Sequence, residues 1–496
     1  MEGDDVTLRE QLFHDRVRET IISVLLFACL YMVSYLVIKH YRKNAEFAAD
    51  EDEDATVNKI ALWLCTFSLS ISVGAVLLLP LSILSNEVLL SFPHSYYMQW
   101  LNGSLIHGLW NLVFLFSNLS LVFLLPFAYF FTESEGFAGS KKGVMSRVYE
   151  SVVVLLLLTV LVVGMVWVAS ALLNNSTARE SLYDLWEYYL PYLYSCISLT
   201  GVLLLLLCTP FGLSRMFSVT GKLLVKPRLL EDVEDTMSCA MFEEAALSQK
   251  IRRESWSWDT LCWMNQSGEA LRRRYFAIKA RRIALEMRRR ASPWQRNLGY
   301  PLAMLLLLAL TVVCVFIVCF HVLELLFDET AMPRGMEDPL LGAASFSAFG
   351  SLGAAVQVIL ILYLMVSSVV GFYSSPLSSG LLPRTQDTTL TQIIGNCVCL
   401  LVLSSALPVF SRTLGITRFD LLGDFGRYNW LGNFHIVFMY NVLFAGLTSA
   451  CLINTLTWAV QRELIKAFGL HKLPLTVSRS AIPLKLLLAN GLSKIQ

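Results

Sequence analysis

The sequence predicts an all-α, polytopic integral membrane protein with about nine transmembrane helices, the N-terminus outside and the C-terminus in the cytosol. Three observations lead to this fold class. Only 16% of the 496 residues are charged and 55% are hydrophobic, whereas roughly 25% of the residues of a soluble domain are charged. Apolar runs close to the ~20 residues that cross a bilayer recur along the chain. Lysine and arginine are concentrated in alternate connecting segments, and this asymmetry indicates the orientation.

The first apolar run, 21–38, follows an acidic leader that contains Glu2, Asp4, Asp5 and Glu10. A secretory signal peptide begins with a basic region and has a shorter apolar region. The run itself is close to the length that crosses a bilayer. The sequence therefore predicts a retained first helix and no cleaved signal peptide.

Eight further runs have spanning length, which divides the chain into membrane and cytosolic parts. The nine runs are 21–38, 60–84, 107–131, 152–173, 191–213, 299–325, 351–373, 392–411 and 435–458. The predicted parts are an N-terminal membrane part of five helices (1–213), a helical cytosolic loop (214–298), a C-terminal membrane part of four helices (299–458) and a cytosolic tail (459–496).

The orientation follows from the basic residues. With the N-terminus outside, the inner segments hold 31 of the 39 lysines and arginines and the outer segments hold eight. Long loops count weakly in this rule, yet without 214–298 the inner segments still hold 14 lysines and arginines against eight in the outer segments.

The same orientation puts the N-x-S/T triplets of Asn102, Asn174 and Asn175 outside, where they are glycosylation candidates. All eleven cysteines fall in spans or on the cytosolic side, so no extracellular disulfide module is predicted.

The sequence contains no recognisable catalytic motif, and we expect a non-enzymatic protein without metal, cofactor or nucleic-acid partner. The pair Cys397 and Cys399 lies in an apolar run, and a zinc site needs more ligands than these two.

Ion and substrate pathways usually carry ionisable residues inside the membrane. The predicted spans have almost none, which weakens a transport function. A neutral or apolar cargo would need no such charges, so transport stays the alternative.

The cytosolic loop ends in a basic helix, 271–290, which has three interpretations. It can be a solvated helix that obeys the orientation rule, a contact with anionic lipid headgroups, or a helix that binds a partner protein. The sequence "RRRAS" resembles a basophilic kinase site, which makes Ser292 a phosphorylation candidate. A phosphate there would cancel positive charge beside the membrane. If a cytosolic partner exists, this loop is the best place for it.

The predicted outer loops, 85–106, 174–190 and 412–434, are rich in aromatic residues. Aromatic side chains gather at the headgroup level of membranes, and this belt explains many of them. Tyrosine and tryptophan also dominate the energetically important positions of protein interfaces. Six residues are therefore candidates for ligand binding: Tyr96, Tyr97, Trp100, Tyr183, Trp186 and Trp430.

Several stretches resemble the limb-region-one family of membrane proteins. They include "QWLNGSLIHGLWNLVFLFSNLSL" (99–121), "PFAYFFTESEGFAGS" (126–140), "SLYDLWEYYLPYLYSCIS" (181–198), "SPWQRNLGYPLAM" (292–304) and "TQIIGNCVCLLVLSSALPVFSRTLGITRFDLLGDFGRYNWLGNF" (391–434). The resemblance covers nearly the whole chain. It implies a nine-span receptor of the plasma membrane and endoplasmic reticulum that binds secreted lipocalin-like proteins and promotes their endocytosis.

The same resemblance implies a second role and keeps the alternative open. The second role is negative regulation of Wnt signalling, through ubiquitin-ligase components of the endoplasmic reticulum that act on Wnt receptors. The family is also distantly similar to a lysosomal cobalamin exporter, so a transporter, or an accessory to transport of a small apolar cargo, remains the competing hypothesis. Neither the ligand nor the oligomeric state follows from the residues.

Overall fold

In a computed structural model, the described residues are almost entirely helical. They are 2–42, 52–134, 144–173, 185–223, 233–256, 274–275, 277–279, 282–283, 286, 299–327, 351–378, 380–417 and 433–467. Within these ranges there is no β-strand, and the one isolated β-bridge joins Arg42 to Thr388. The predicted all-α fold class is confirmed.

Eleven helices are named here in chain order. They are α1 (Glu2–Tyr41), α2 (Asp52–Ser91), α3 (Tyr96–Glu133), α4 (Val144–Leu173), α5 (Leu185–Leu223), α6 (Val233–Trp256), α7 (Tyr300–Phe327), α8 (Ser351–Ser374), α9 (Leu390–Ser405), α10 (Leu407–Thr413) and α11 (Phe434–Ala467). In the described part of the chain, nine stretches are long and apolar enough to cross a membrane, and α9 and α10 together make one of them. Each overlaps one of the nine predicted runs. The orientation of the termini stays a prediction.

The connection between α2 and α3 differs from the outer loop predicted at 85–106. The helix α2 continues to Ser91 and α3 begins at Tyr96, so only residues 92–95 link them. Polar residues at 85–87 interrupt the apolar run without breaking the helix, and the helix ends just before Pro93, which cannot donate a backbone hydrogen bond. The predicted loop is therefore a tight helical hairpin that extends the bundle.

The helix α3 is not a uniform α-helix. It has two π-helical segments, Leu101–Ile106 and Ser120–Leu124, on either side of the α-helical segment His107–Leu119. Each π-helical turn accommodates an extra residue, and such turns are frequent at functional sites. The outer end of α3 is thus set apart from its central segment by a change of helical geometry.

The closest helix crossing is that of α5 and α8, where backbone meets backbone. A Cβ atom placed on Gly212 would lie 1.8 Å from the Ser367 carbonyl oxygen, and one on Gly371 would lie 1.9 Å from the Cys208 carbonyl oxygen. Beside these glycines the hydroxyls of Thr209 and Ser368 are 2.7 Å apart and hydrogen-bonded. Small residues and hydroxyl bonds are the usual means by which membrane helices approach each other closely.

Buried aromatic residues connect this crossing to α3. The Trp110 ring stacks on Phe114 with centroids 5.4 Å apart, and Phe114 lies 4.6 Å from the Tyr194 ring of α5. The indole N–H of Trp110 donates to Ser82 Oγ on α2, and the Tyr194 hydroxyl donates to the Ser405 carbonyl at the end of α9. One apolar core therefore joins α2, α3, α5 and α9.

The helix α1 lies at the edge of the bundle and is fastened at both ends. Its inner end is bound to the segment before α9, because the Thr388 N–H donates to the Tyr41 carbonyl over 3.3 Å and Arg42 forms the bridge with Thr388. Its middle part packs on α2, where a Leu30 methyl group would lie 3.3 Å from a Cβ placed on Gly74. Its other end contacts α3.

Part of the predicted cytosolic loop is described. It contains α6 and helical positions between 274 and 286. The Arg282 Nε and Glu244 Oε2 atoms form an ion pair over 3.1 Å, which joins the basic segment to the acidic helix α6. Ser292, the predicted phosphorylation candidate, lies outside the described residues. The structure thus gives the basic segment an acidic neighbour within the same loop.

Candidate functional site

The candidate site lies at the end of the bundle predicted to be outside the cell, here called the outer end. At this end the first half of α1 meets the hairpin of α2 and α3. We define the outer junction as six residues: Asp15, Arg18, Glu19, Tyr96, Trp100 and Ser104. The first three belong to α1 and the others to α3. These residues are separated by about eighty positions in the sequence, so only the fold brings them together.

Polar contacts hold the two helices of the outer junction in register. The Tyr96 hydroxyl donates to Asp15 Oδ2 over 2.7 Å, and the other carboxylate oxygen of Asp15 pairs with Arg18 over 3.2 Å. One turn further on, the Ser104 hydroxyl donates to Glu19. Both hydrogen bonds are exposed to solvent, which limits their strength, and together they place the start of α3 against α1.

Trp100 is the apolar centre of the outer junction. The Arg18 guanidinium lies 4.8 Å from the centre of its ring, a cation–π contact. The ring is partly buried and packs against the main apolar core. Because the ring is covered by Arg18 and by the core, we assign Trp100 to holding the junction together and not to direct ligand contact.

Three aromatic side chains remain exposed around the outer junction. Phe13, Phe92 and Tyr97 are 66%, 64% and 65% exposed, respectively. Tyr96 is also half exposed, but its hydroxyl is bound to Asp15. The Tyr97 ring contacts the Tyr96 ring edge to face, with centroids 5.7 Å apart. The exposed aromatic set is therefore Phe13, Phe92 and Tyr97.

This set lies at the predicted outer ends of three stretches that are long and apolar enough to cross a membrane. The first stretch begins at Phe13, the second ends at Ser91, next to Phe92, and the third begins at Tyr96, next to Tyr97. Aromatic side chains at such positions are typical of the headgroup level of a membrane, and aromatic residues are also enriched in protein interfaces. The positions alone thus fit both a headgroup belt and a binding surface.

The six predicted ligand-binding residues have different outcomes. Tyr96, Tyr97 and Trp100 come together at the outer junction, where Tyr96 binds Asp15, Trp100 contacts Arg18 and Tyr97 is largely exposed. Trp186 belongs to α5, whose backbone is described there. Tyr183 and Trp430 lie outside the described residues. Phe13 was not among the predicted residues, although it is an aromatic residue at the start of the first stretch that can cross a membrane.

The predicted glycosylation sites are also divided. Asn102 lies in the π-helical segment Leu101–Ile106 and is half-buried. Its partner in the triplet, Ser104, is the residue that binds Glu19. Asn174 and Asn175 lie outside the described residues. The glycosylation of all three therefore stays a prediction.

The described residues contain no group of three or more histidine, cysteine or acidic side chains that could hold a metal ion. The Cys397 thiol lies 3.6 Å from the Cys65 carbonyl oxygen, as a weak donor in a helix contact.

An apolar cavity between α2, α8 and α10 has a volume of about 10 Å³. It is lined by Leu79, Ile361, Leu364, Leu407, Phe410, Ser411 and Ile416. This volume is about the space of one water molecule, so this cavity is too small for a cargo.

The fold and the outer junction define a multi-pass, all-helical membrane protein whose exposed site is made by helix ends. The sequence matches the family described as LMBR1-like membrane protein over residues 19–273 and 243–456. The chain belongs to this family, and the predicted resemblance to the limb-region-one family is confirmed.

The relatives cover nearly the full length of the chain. The limb region 1 homolog-like protein of Danio rerio is 78% identical over 495 residues, which is 100% of both chains. Protein LMBR1L of Xenopus laevis is 72% identical, over 96% of this chain and 98% of the relative. Protein LMBR1L of Homo sapiens is 69% identical, over 96% of this chain and 98% of the relative. No solved structure matches the chain.

Proposed function

We propose that the protein is a non-enzymatic membrane receptor that binds secreted lipocalin-type proteins at its outer junction and promotes their endocytosis. The observation that carries the proposal is the exposed aromatic set, Phe13, Phe92 and Tyr97, at the end of the bundle where the outer junction lies. Aromatic side chains are enriched in protein interfaces, so an exposed aromatic set beside this junction supports a protein ligand. Within its family the sequence resembles the lipocalin-1-interacting membrane receptor, and this resemblance supports the class of ligand.

The geometry of the outer junction supports tight binding because it is arranged before a ligand arrives. The hydrogen bonds of Asp15 and Glu19 and the Arg18–Trp100 contact fix the hairpin on α1. A ligand that meets a fixed surface loses less conformational entropy on binding. Aromatic side chains on such a surface provide large contact areas with few rotatable bonds.

A finer proposal concerns the cytosolic side. We infer, from the family resemblance, that the loop 214–298 works with ubiquitin-ligase components of the endoplasmic reticulum to lower the level of Wnt receptors. The plasma membrane and the endoplasmic reticulum are then both places of action. The ion pair of Arg282 with Glu244 supports a folded helical loop as the contact for partners or for membrane lipids. A pull-down with the full chain, with and without charge reversal of Arg282, tests whether those components bind here.

The binding site is tested by the double variant Phe92→Ala with Tyr97→Ala. We expect it to bind a purified secreted lipocalin about tenfold more weakly or worse, since single exposed anchors of an interface are often worth 1–2 kcal/mol. Binding is measured by surface plasmon resonance on protein in lipid nanodiscs, and surface biotinylation of cells checks that the variant reaches the plasma membrane.

Two matched variants control this test. Tyr129 is an exposed tyrosine near the other end of α3, so Tyr129→Ala should bind as the unchanged protein does. Tyr96→Phe removes only the hydroxyl that binds Asp15, and it should weaken binding less than the double variant. If the double variant binds the lipocalin normally, the exposed aromatic set is not the ligand site.

The orientation on which this proposal depends has its own prediction. Endoglycosidase treatment of the protein from cells should increase its gel mobility, because Asn102, Asn174 and Asn175 are predicted to lie outside. A variant that lacks all three asparagines should show no change. A change that depends on Asn265, in the predicted cytosolic loop, would reverse the orientation.

A further inference from the structure

A buried histidine contacts a glycine turn near the outer end of α7. The His321 side chain is only 6% exposed. A Cβ atom on Gly415 would lie 2.5 Å from His321 Cγ and 2.6 Å from its Nδ1. Gly415 also has φ of +70°, a conformation that glycine adopts without steric cost. The glycine therefore both forms the turn and makes room for the imidazole ring.

Hydrogen bonds join the turn, residues 414–417, and the residue just before it to α10, α8 and α11. Its own amides close it, since the Ile416 N–H donates to the Ser411 carbonyl over 3.0 Å. The Gln357 side chain of α8 donates to the Ile416 carbonyl over 3.0 Å. The Asn441 side chain of α11 donates to the Thr413 carbonyl over 2.8 Å, just before the turn. The contact with His321 brings a titratable side chain against this turn.

Few charged groups surround His321 in the described part of the chain. On α7 itself, Glu324 Oε2 lies 3.8 Å from His321 Nδ1, which is too long for a hydrogen bond. Arg412, half-buried, precedes the turn, and His435, exposed, begins α11. The helix α8 has no acidic or basic residue, and the described side chains at the outer end of α5 have none. Glu324 is thus the acidic group placed to respond to a charge on His321.

We propose that His321 and Glu324 form a proton-sensitive latch that holds the turn 414–417 closed when His321 is neutral. Histidine changes its charge between roughly pH 5 and 8. Protonation gives both ring nitrogens an N–H and adds a positive charge that attracts the Glu324 carboxylate. The ring then moves along α7 toward Glu324 and leaves Gly415, so the turn loses its packing partner. In an endocytic receptor the latch would loosen the outer end in acidifying compartments; that consequence rests on the proposed function, but the latch itself does not.

Hydrogen–deuterium exchange on the full chain in lipid nanodiscs tests the latch without any ligand. Exchange is followed at pH 7.4 and pH 5.5 and corrected for the intrinsic pH dependence of amide exchange. The amides of residues 415–417 should lose about tenfold of their protection at the lower pH, as expected when a local opening becomes easier. The amides at the start of α9, closed by the capping box of Thr389 and Gln392, should not respond.

Two variants decide whether His321 is the sensor. His321→Gln should abolish the pH response of the turn, and Glu324→Gln should reduce it. A full response in a folded His321→Gln variant, or no response in the unchanged protein, would overturn the latch. If His321→Gln does not fold, the partly exposed Glu324 carries the test, and a full response in Glu324→Gln would overturn it. Failure of lipocalins to bind would instead overturn the proposed receptor function and leave this result standing.

Discussion

Replacing Gly371 with alanine is expected to force apart α5 and α8 and to destabilise the protein by about 3 kcal/mol or more, the upper range for overpacking a core. The added methyl carbon would lie 1.9 Å from the Cys208 carbonyl oxygen and 2.8 Å from the Gly212 nitrogen. These atoms belong to backbone, so no side-chain rotation relieves the clash. The helices must separate, and the Thr209–Ser368 hydrogen bond beside the glycines is then lost as well.

The measurement is the thermal unfolding of purified protein in detergent, together with the fraction of protein that reaches the cell surface. Gly446→Ala in α11 is the matched control, because no heavy atom lies within 4 Å of a Cβ atom placed there. Alanine favours a helix over glycine by about 1 kcal/mol, so this control should be neutral or slightly stabilising. Equal melting temperatures for the two variants would contradict the assigned crossing.

Trp110→Ala should have the second large effect, a loss of about 3–5 kcal/mol of stability, as for other fully buried tryptophans. The Trp110 side chain is fully buried. Its removal leaves a cavity between Phe114 and α2 and takes away the hydrogen bond to Ser82. Because the Phe114 ring in turn packs on Tyr194, the loss should extend to the contact between α3 and α5.

A second tryptophan supplies the control for this variant. Trp63 on α2 is 59% exposed, in a stretch where lipid and not protein would cover it. Trp63→Ala removes the same side chain and should change stability by less than about 0.5 kcal/mol, as is usual away from packed positions. The comparison is made by chemical or thermal unfolding in the same detergent. A cost for Trp63→Ala equal to that of Trp110→Ala would mean that the two environments are wrongly assigned.

The nine spans could be predicted because hydropathy reports which segments avoid water. The ends of the helices could not be predicted in this way. At 85–87 the residues are polar, which ends the hydropathy signal, but α2 continues to Ser91 because nothing there breaks the backbone hydrogen bonds. The end of a span can remain helical through polar residues when another helix packs on it. This is why the predicted loop 85–106 became a hairpin.

The candidate site shows a different limit. Tyr96 and Tyr97 are neighbours of the same type, and their sequence contexts give no reason to separate them. On a helix they point about 100° apart, since there are 3.6 residues per turn. Only the position of α1 decides that Tyr96 binds Asp15 while Tyr97 faces outward. The contact of Arg18 with Trp100 is equally invisible in the sequence, because it depends on how two distant segments dock.

The two fastenings of α1 have a consequence for biosynthesis. This helix leaves the ribosome before the hydrogen-bond donors for its two ends, which are made later, at residues 96–104 and then at Thr388. Between these events α1 can enter the membrane and pack on α2, but the carbonyl of Tyr41 at its inner end does not meet the Thr388 donor until most of the chain has been synthesised. The first helix therefore reaches its final position late in assembly, and a chain truncated before α9 would lack the hydrogen bond that holds the inner end of α1.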